Sequence, residues 1–474
     1  MKICMFVKNS FEYDARVTKE AKSLISDGHD VTVVAIHVPD VTEREEVTTD
    51  GIHVIRVSRM HFGLGALSKL AGRYAGTIEE RHSRLTGEPV DVAKAAELSQ
   101  VVPASTATPG ANQPIAAPTQ RSPSTPAGAG SRLWASVTTP LFRGLAHVAR
   151  FGFRVVRALL GKQGSALKTW AINRRMIEVG VASRADVFHS HDLNTLYIGA
   201  MCKRQTGSPL VYDSHELATE RNRMTYWWKR WATWNERRWI KDANAIIVAS
   251  PSWSGWLRDK YPGLRQPITE VINVPPLEPV HPRDLREELG ISPDDPILLY
   301  QGSIQENRGI EQAIEATLQL ERAVMVVVGY GYHRPTLEKM VRDRGLTDRV
   351  KFFGPIPNHE LVDWTAGADI GMANIINSSV SYHTSLPNKL FEYIMAGVAV
   401  IGSDSPEIGR IVEATGVGEV CDPADADALA GAARTILSNL DRYRSRTAEA
   451  AALYNWSVEE KKLLALYEEL AASM

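Results

Sequence analysis

The stretch "SYHTSLPNKLFEYIMAGVAVIGSD" (381–404) sets Asn388, Lys389 and Glu392 inside or near the first two turns of one short helix, directly ahead of an apolar strand. Thr384 or Ser385 suits the N-cap, Pro387 fits the first turn and Gly397 ends the helix. The first turn of such a helix carries unpaired N–H groups and a partial positive charge, which attract phosphate. Lys389 adds a cation near that turn, and Glu392 further along can accept hydrogen bonds from two vicinal hydroxyls, as a ribose presents. These residues fit the holding of a nucleoside diphosphate. A plain capped helix with a solvated Lys389 and a salt-bridged Glu392 uses the same residues, and spacing alone does not separate the two.

The elements that must position this segment follow a regular alternation. "KICMFV" (2–7) has the length and composition of a buried parallel strand, and "ARVTKEAKSLISDG" has helical spacing with Val17, Ala21 and Leu24 on one face. "DVTVVAI", "IHVIRV", "ADVFHS", "PLVYDS" and "AIIVAS" read as further strands, and the same rhythm restarts at Pro296 with "PILLYQGS", "AVMVVVG", "RVKFFG" and "DIGMANI". Strands alternating with helices imply parallel sheets covered on both faces. The expected fold class is therefore α/β, with two Rossmann-like doubly wound domains (1–272 and 285–454) facing across a cleft. The linker between them, "NVPPLEPVHPRD" (273–284), carries four prolines. Ligands of such domains bind at the carboxyl ends of strands, where helix N-termini converge.

Composition narrows the function classes. The chain has 474 residues, is 44% hydrophobic and carries a formal net charge of −1, which gives no support to bulk nucleic-acid binding. Cys4, Cys202 and Cys421 are too scattered for a disulfide framework. The N-terminal run is too short and too soon charged for a signal peptide, and no stretch is apolar for long enough to span a bilayer. A cytoplasmic setting is expected. Residues 98–131 are rich in Pro, Ala, Ser, Thr and Gly and read as disordered. "LFRGLAHVARFGFRVVRALL" (141–160) gathers Arg143, Arg150, Arg154 and Arg157 opposite Leu141, Leu145, Val148, Val155 and Leu159. That pattern fits peripheral contact with the inner face of a membrane, or a helix packed on the first domain with its arginines in water. The tryptophans at 227, 228, 231, 234 and 239 could stack on sugars or sit at a membrane interface, and the positive charge of "RNRMTYWWKRW" leaves membrane contact open. Their helical spacing, however, favours core or domain packing. "DPADADALAGAA" contains D-x-D, but its acids precede an Ala-rich helix and suit capping, so no metal site is expected.

With these elements in place, the 381–404 segment resembles the nucleotide-sugar segment of GT-B glycosyltransferases, in particular the retaining GT4 family and its "LPNKLFEY" subgroup. Further motifs follow in that family's order. "YQGSIQENRGIEQAIEA" is similar to its G-x-(5–6)-K/R-G loop, bringing Gly302, Ser303 and Arg308 to the donor. "VVVGYGYHRPTLEKM" is similar to its vGxG turn (Gly329, Gly331), and "RVKFFGPIPNHEL" to its V-x-F-x-G strand and loop, where Gly354, Pro355 and Ile356 would hold the base. "DVFHSHDLNTL" and "LVYDSHELATE" resemble two motifs of the first domain. "YNWSVEEKKLLALYEEL" resembles closing helices, of which 455–474 would cross back to that domain.

The resemblance implies that Arg308 and Lys389 stabilise the leaving diphosphate without a metal or other cofactor. Glu392 would take the ribose, and Thr384, Ser385, Leu386, Pro387 and Asn388 would line the donor. His191 would stand by the donor sugar and the reaction centre. Asp14, Arg16, His215 and Glu216 fall on the acceptor side. The implied activity is transfer of a sugar from a nucleoside-diphosphate donor to a glycan or lipid-linked acceptor in cell-surface polysaccharide or glycoconjugate assembly. The alternatives are a nucleotide-sugar 2-epimerase of the same fold and a catalytically silent partner subunit. Two departures bear on the site. Thr384 stands where the family has the first glutamate of its E-x7-E motif, implying altered donor selection, and Ser303 stands at the usual first basic position of the loop.

Overall fold

The computed structural model describes residues 1–12, 14–58, 167–222 and 224–474. The disordered insert expected at 98–131 and the basic helix expected at 141–160 lie outside the described residues. Met1–Ser58 and Asn173–Met474 form one compact unit that holds two sheets. The strands of the first, in chain order, are β1 (Lys2–Phe6), β2 (Asp30–His37), β3 (Glu45–Val47), β4 (His53–Ser58), β5 (Val187–His191), β6 (Leu210–Ser214), β7 (Ala245–Val248) and β8 (Ile268–Glu270). Their spatial order is β3-β4-β2-β1-β5-β6-β7-β8, parallel throughout except for the antiparallel β3–β4 pair.

The second sheet comprises β9 (Ile297–Gln301), β10 (Val324–Val328), β11 (Val350–Phe353), β12 (Ile370–Ala373), β13 (Ala399–Ser403) and β14 (Gly418–Cys421), in the order β11-β10-β9-β12-β13-β14. All of its pairs are parallel, with Ile370 opposite Leu298 at the centre. Both sheets reverse direction beside their first strand, at β1/β5 and at β9/β12. Those two switch points are where doubly wound folds leave a crevice for ligands. Continuous apolar runs such as "VMVVV" in β10 are buried on both faces, as helix-covered parallel strands require. Non-glycine residues with positive φ include Phe11, Asp192 and Asn307, which follow β1, β5 and β9. Backbone strain therefore collects at the carboxyl ends of the switch-point strands.

The last helix, Trp456–Ala472, belongs to the first domain although it ends the chain. Trp456, Leu463, Leu466, Tyr467 and Leu470 share one core with Ile3, Met5, Val17 and Leu24. Its polar contacts are as specific. The Trp456 indole donates to Ser23 Oγ at 2.8 Å, and the Ile272 amide donates to the Glu459 carboxylate at 2.8 Å. The helix Tyr226–Trp239 departs from expectation. Trp227, Trp228, Trp231 and Trp234 are 77%, 55%, 49% and 61% exposed, so they pack neither in the core nor between domains. The helix buries Ala232, Asn235 and Glu236 instead, and Trp239 alone turns inward, its ring 5.1 Å from Tyr197. Among the described residues no helix is long and apolar enough to cross a membrane.

Leu463 is fully buried in the first domain's core, so Leu463→Ala should cost about 2–5 kcal/mol of unfolding free energy. Urea denaturation followed by circular dichroism checks this, and a cost below about 1 kcal/mol would mean that the C-terminal helix is not part of that core.

Candidate active site

The helix Asn388–Met395 is short, strongly amphipathic and anchored from beneath. Tyr393 lies flat under β12, where a side chain on Gly371 would collide with its ring, and its hydroxyl donates to the Leu299 carbonyl at 3.0 Å. Lys389 lies one turn earlier on the same face, as i,i+4 spacing dictates. Pinning Tyr393 therefore carries Lys389 to the end of β9. Its ammonium sits 3.7 Å from the centre of the Tyr300 ring and has no hydrogen-bond partner. Burial, and then the nearby Arg308 charge, hold its pKa well below the usual lysine range. Arg308 follows Asn307 in the loop after β9 and lies over the Tyr382 ring at 4.5 Å.

Glu392 is held by a chain of side chains that spacing did not reveal. Gln301 Nε2 donates to Glu392 Oε2 at 2.5 Å, and Thr365 Oγ1 donates to Gln301 Oε1 at 2.7 Å. Burial raises the Glu392 pKa, opposed by Gln301, Lys19 and Lys389 in turn. Lys19, from the helix Ala15–Ser26 of the first domain, thus acts across the cleft. Its ammonium donates to Asn273 Oδ1 at 2.8 Å, and burial brings its pKa down to about 8. Gln301 and Lys19 carry no local motif; only the end of a central strand and a helix face turned to the cleft distinguish them.

The glycines of the donor loops serve one another. A Cβ on Gly329 would meet the Gly302 carbonyl oxygen at 2.0 Å, and one on Gly331 would meet the Ile304 carbonyl oxygen at 2.0 Å. Glycine lets these two loops pack backbone to backbone, sealed by Ile304 N donating to Tyr330 O at 2.9 Å. Ser303 accepts from the Tyr300 hydroxyl through its carbonyl. Gly354 stands in the open, and Ile356 and Leu386 rest half-buried against the second domain's core.

The helix opens differently from expectation. Pro387, extended at φ −76° and ψ 139°, is the N-cap itself, and no side chain caps the turn. Neither Thr384 nor Ser385 serves as cap, because a separate short helix, Val380–His383, ends at Thr384. Ser385 Oγ donates back to Tyr382 O at 3.1 Å, and Asn388 accepts from Asn273 Nδ2 at 3.0 Å. Thr384 Oγ1 donates to Val380 O and accepts from the Trp253 indole at 2.9 Å, while Ser250 Oγ donates to Thr384 O at 2.8 Å. The position is therefore engaged by the first domain. Ser252 adds a second bridge, its amide donating to Glu407 Oε1 at 2.9 Å.

On the facing side, His191 ends β5 and His215 follows β6. His191 Nδ1 lies 3.1 Å from His215 Nε2 and 3.3 Å from Asp213, and its Nε2 has no partner. His189 stacks beneath it at 4.1 Å and meets the Tyr467 hydroxyl at 2.8 Å, which ties the last helix to this network. Burial lowers the pKa of both His189 and His191. Burial also works against a charge on His215, but Asp213 and then Asp192 outweigh it and lift its pKa to about 9.

Arg16, expected on the acceptor side, points inward. Its guanidinium donates to both oxygens of Asp213 at 2.9 and 3.0 Å, to Val271 O, and pairs with buried Glu20 at 3.0 Å. Two buried carboxylates hold the guanidinium inside, which leaves Arg16 4% exposed. Burial, then Asp213, raise the Glu20 pKa. Asp14 caps its helix, accepting from Val17 N at 3.2 Å, and Glu216 pairs with Arg221. Glu20, His189, His191 and Asp213 offer ligand atoms within 4.8 Å of one another, the spacing of a metal site. Arg16 and His215 both lie against Asp213 and Arg16 also pairs with Glu20, while both Glu20 oxygens and the Nε2 atoms of His189 and His191 have no hydrogen-bond partner.

Residues 282–453 match the family model described as "Glycosyl transferases group 1", and residues 92–273 match "Glycosyl transferase 4-like domain". The chain belongs to these glycosyltransferases. It is 26% identical over 216 residues to D-inositol 3-phosphate glycosyltransferase of Streptosporangium roseum, covering 41% of this chain and 50% of that one. It is 25% identical over 335 residues to alpha-D-kanosaminyltransferase of Streptomyces kanamyceticus, covering 66% and 84%. The chain thus spans half the length of the first relative and most of the second. Among solved structures, sucrose-phosphate synthase from Thermosynechococcus elongatus superimposes with a TM-score of 0.65 at 18% identity, covering 100% of both chains. Anabaena Alr3699/HepE in complex with UDP-glucose gives 0.63 at 13% identity, covering 99% and 100%. The two doubly wound domains of this family member are the GT-B fold.

The His215 charge has a measurable consequence. A base whose pKa rises on folding from 6.5 to about 9 contributes stability that is complete below about pH 6.5 and lost as the pH climbs through 9. His191 and His189, with lowered pKa values, are neutral in the folded state across that window. Their protonation in the unfolded state at low pH is common to the wild type and the variant and largely cancels in the difference. The difference in urea-unfolding free energy between the wild type and His215→Gln should therefore shrink by on the order of 3 kcal/mol between pH 6 and pH 9.5. A difference independent of pH would mean that His215 is folded uncharged.

Proposed function

We propose that this chain is a retaining, metal-independent glycosyltransferase that moves a sugar, of hexose type, from a nucleoside-diphosphate donor to a hydroxyl of a glycan or lipid-linked acceptor. The observation that carries the reading is the pair of cations at the end of β9. Lys389 is buried with no hydrogen-bond partner, Arg308 lies beside it, and the uncapped N-terminus of the helix Asn388–Met395 opens next to both. Among the described residues neither cation has an ion pair, and Glu392 is the carboxylate that acts on Lys389 from a distance. The site can therefore take the charge of a leaving diphosphate. Glu392, fixed by Gln301, is set to take the ribose hydroxyls, and the Gly354–Ile356 turn borders the base. The fold neighbour holding UDP-glucose makes uridine the first base to test.

In the proposed reaction the bond between the sugar's anomeric carbon and the diphosphate oxygen breaks, its electron pair leaving with the diphosphate. The acceptor oxygen bonds to the same face of that carbon, and its proton passes to the departing phosphate oxygen. Arg308 and Lys389 meet the charge as it develops. His191, whose buried Nε2 is unpartnered, would orient the donor sugar in this reading. Thr384 contributes no carboxylate to that sugar, so its hydroxyls must find other partners. The setting we propose is glycoconjugate or polysaccharide assembly on the inner face of a membrane.

The test is release of nucleoside diphosphate from UDP-, GDP-, ADP- and dTDP-sugars in the presence of a chelator. One donor should turn over without metal. Lys389→Ala should lower kcat about 10²–10³-fold, and Glu392→Ala should weaken the donor. Absence of release from every donor, with no thermal shift from any nucleotide, would overturn the reading in favour of a catalytically silent subunit.

A further inference from the structure

We infer that the helix Tyr226–Trp239 is an interfacial anchor that seats the protein on an anionic lipid surface. At about 100° per residue, Trp227, Trp231 and Trp234 fall within roughly 60° of one another, on the side opposite buried Ala232 and Glu236. Three tryptophans at i, i+4 and i+7 normally mark a buried face. Here they mark the outer one. Tyr226 and Trp228 extend the patch, with Trp228 stacked on Trp231 at 4.8 Å. Indole rings, apolar in body and polar at the N–H, favour the headgroup level of a bilayer.

The exposed charges on the helix itself have one sign, with Lys229 paired to Glu220 at its N-terminal end. Lys229, Arg230 and Arg237 are exposed, and Arg238 is partly so. The helix has a single acid, Glu236, which is buried and accepts from the Tyr212 and Tyr261 hydroxyls. Arg230 lies over the Tyr226 ring at 5.6 Å and Arg238 over the Trp239 ring at 4.3 Å, so the cations ride on the aromatic surface. An aromatic face fringed by cations and free of exposed acids complements anionic headgroups.

Other occupants fit less well. A two-fold dimer through this helix would set the same arginines against each other. The chain's own segment 98–177 carries ten Lys or Arg and no acid, so it repels the patch as well. A sugar-stacking platform places carboxylates or amides beside its rings, and the outer face of this helix has none. The chain leading into the helix also reaches the cleft. Asn222 Nδ2 donates to Ser378 Oγ of the second domain at 2.7 Å, and Thr225 caps the helix. A bilayer held against Trp227 would therefore lie by the junction of the two domains, where a lipid-borne acceptor would enter. That last step rests on the proposed glycosyl transfer; the docking does not.

The experiment is co-sedimentation of the full chain with vesicles of phosphatidylcholine alone and of phosphatidylcholine with phosphatidylglycerol, so that no turnover is needed. The wild type should pellet with the anionic vesicles and far less with the neutral ones. The triple variant Trp227→Ala, Trp231→Ala, Trp234→Ala should bind at least ~10-fold more weakly, as should Arg230→Glu with Arg237→Glu. These residues are exposed, so both variants should keep the wild-type melting temperature and diphosphate release from a soluble donor. A correctly folded charge-reversal variant decides the matter if the triple variant melts early. Unchanged pelleting of the variants would overturn the proposal and assign binding to another segment. It would also be overturned by absence of vesicle binding in the wild type, by a change of oligomeric state in light scattering, or by loss of binding to a soluble polysaccharide instead. None of these results would bear on whether the enzyme turns over a donor.

Discussion

The Lys389 ammonium, set against the face of Tyr300 with no hydrogen-bond partner, is the contact on which the rest of the site depends. An aromatic face offers a buried amine some electrostatic relief and no acceptor, so the amine is left unpaired, and an anionic ligand beside it would raise its lowered pKa and hold its proton. Much of the second domain can be understood as holding that arrangement. Tyr393 fixes the helix under β12, Gly371 makes room for its ring, and the glycines of two loops let the backbone close round the end of β9. Desolvating a lysine costs stability, and here the cost falls where a diphosphate would offset it.

The first domain solves the opposite problem. Its buried charges lie in ion pairs, Arg16 spanning Asp213 and Glu20 and His215 sharing Asp213, although the Glu20 oxygens make no hydrogen bond. What it leaves unpartnered is the buried Nε2 of His191, whose ring is held by a second histidine below and a carboxylate beside it. Tyr467 supports that stack from the final helix, so the end of the chain is built into the floor of the site. The two halves thus divide the work. One holds charge in readiness, and the other holds geometry.

How much of this was legible in the sequence depends on the range of the interaction. Both doubly wound sheets followed from apolar runs alternating with helical spacing, because strand and helix periods are local properties. Lys389 and Glu392 were read from the local spacing of one short helix, whereas Arg308 came only from the resemblance of its loop to a family motif. Arg16 was misread: its place beside Asp213, 197 residues away, is set by sheet order and not by spacing. Gln301 and the Trp253–Thr384 contact were invisible on the same account. Thr384 is instead the C-cap of the preceding short helix, and Pro387, extended at ψ 139°, is the N-cap of the next.

The tryptophan helix shows where periodicity itself stops informing. A stripe at i, i+4 and i+7 reports that one face is apolar and says nothing about which neighbour covers it. The deciding feature lies on the other face, where Glu236 is buried and bound by two tyrosines and Ala232 is small enough to pack closely. A helix whose polar residue is satisfied inside has its orientation fixed from within, and its tryptophans are then turned out whatever their hydrophobicity. Exposed indoles in water are unfavourable. A fold that specifies them through a buried, hydrogen-bonded carboxylate has placed that surface for contact, and the surrounding arginines select the sign of what it meets.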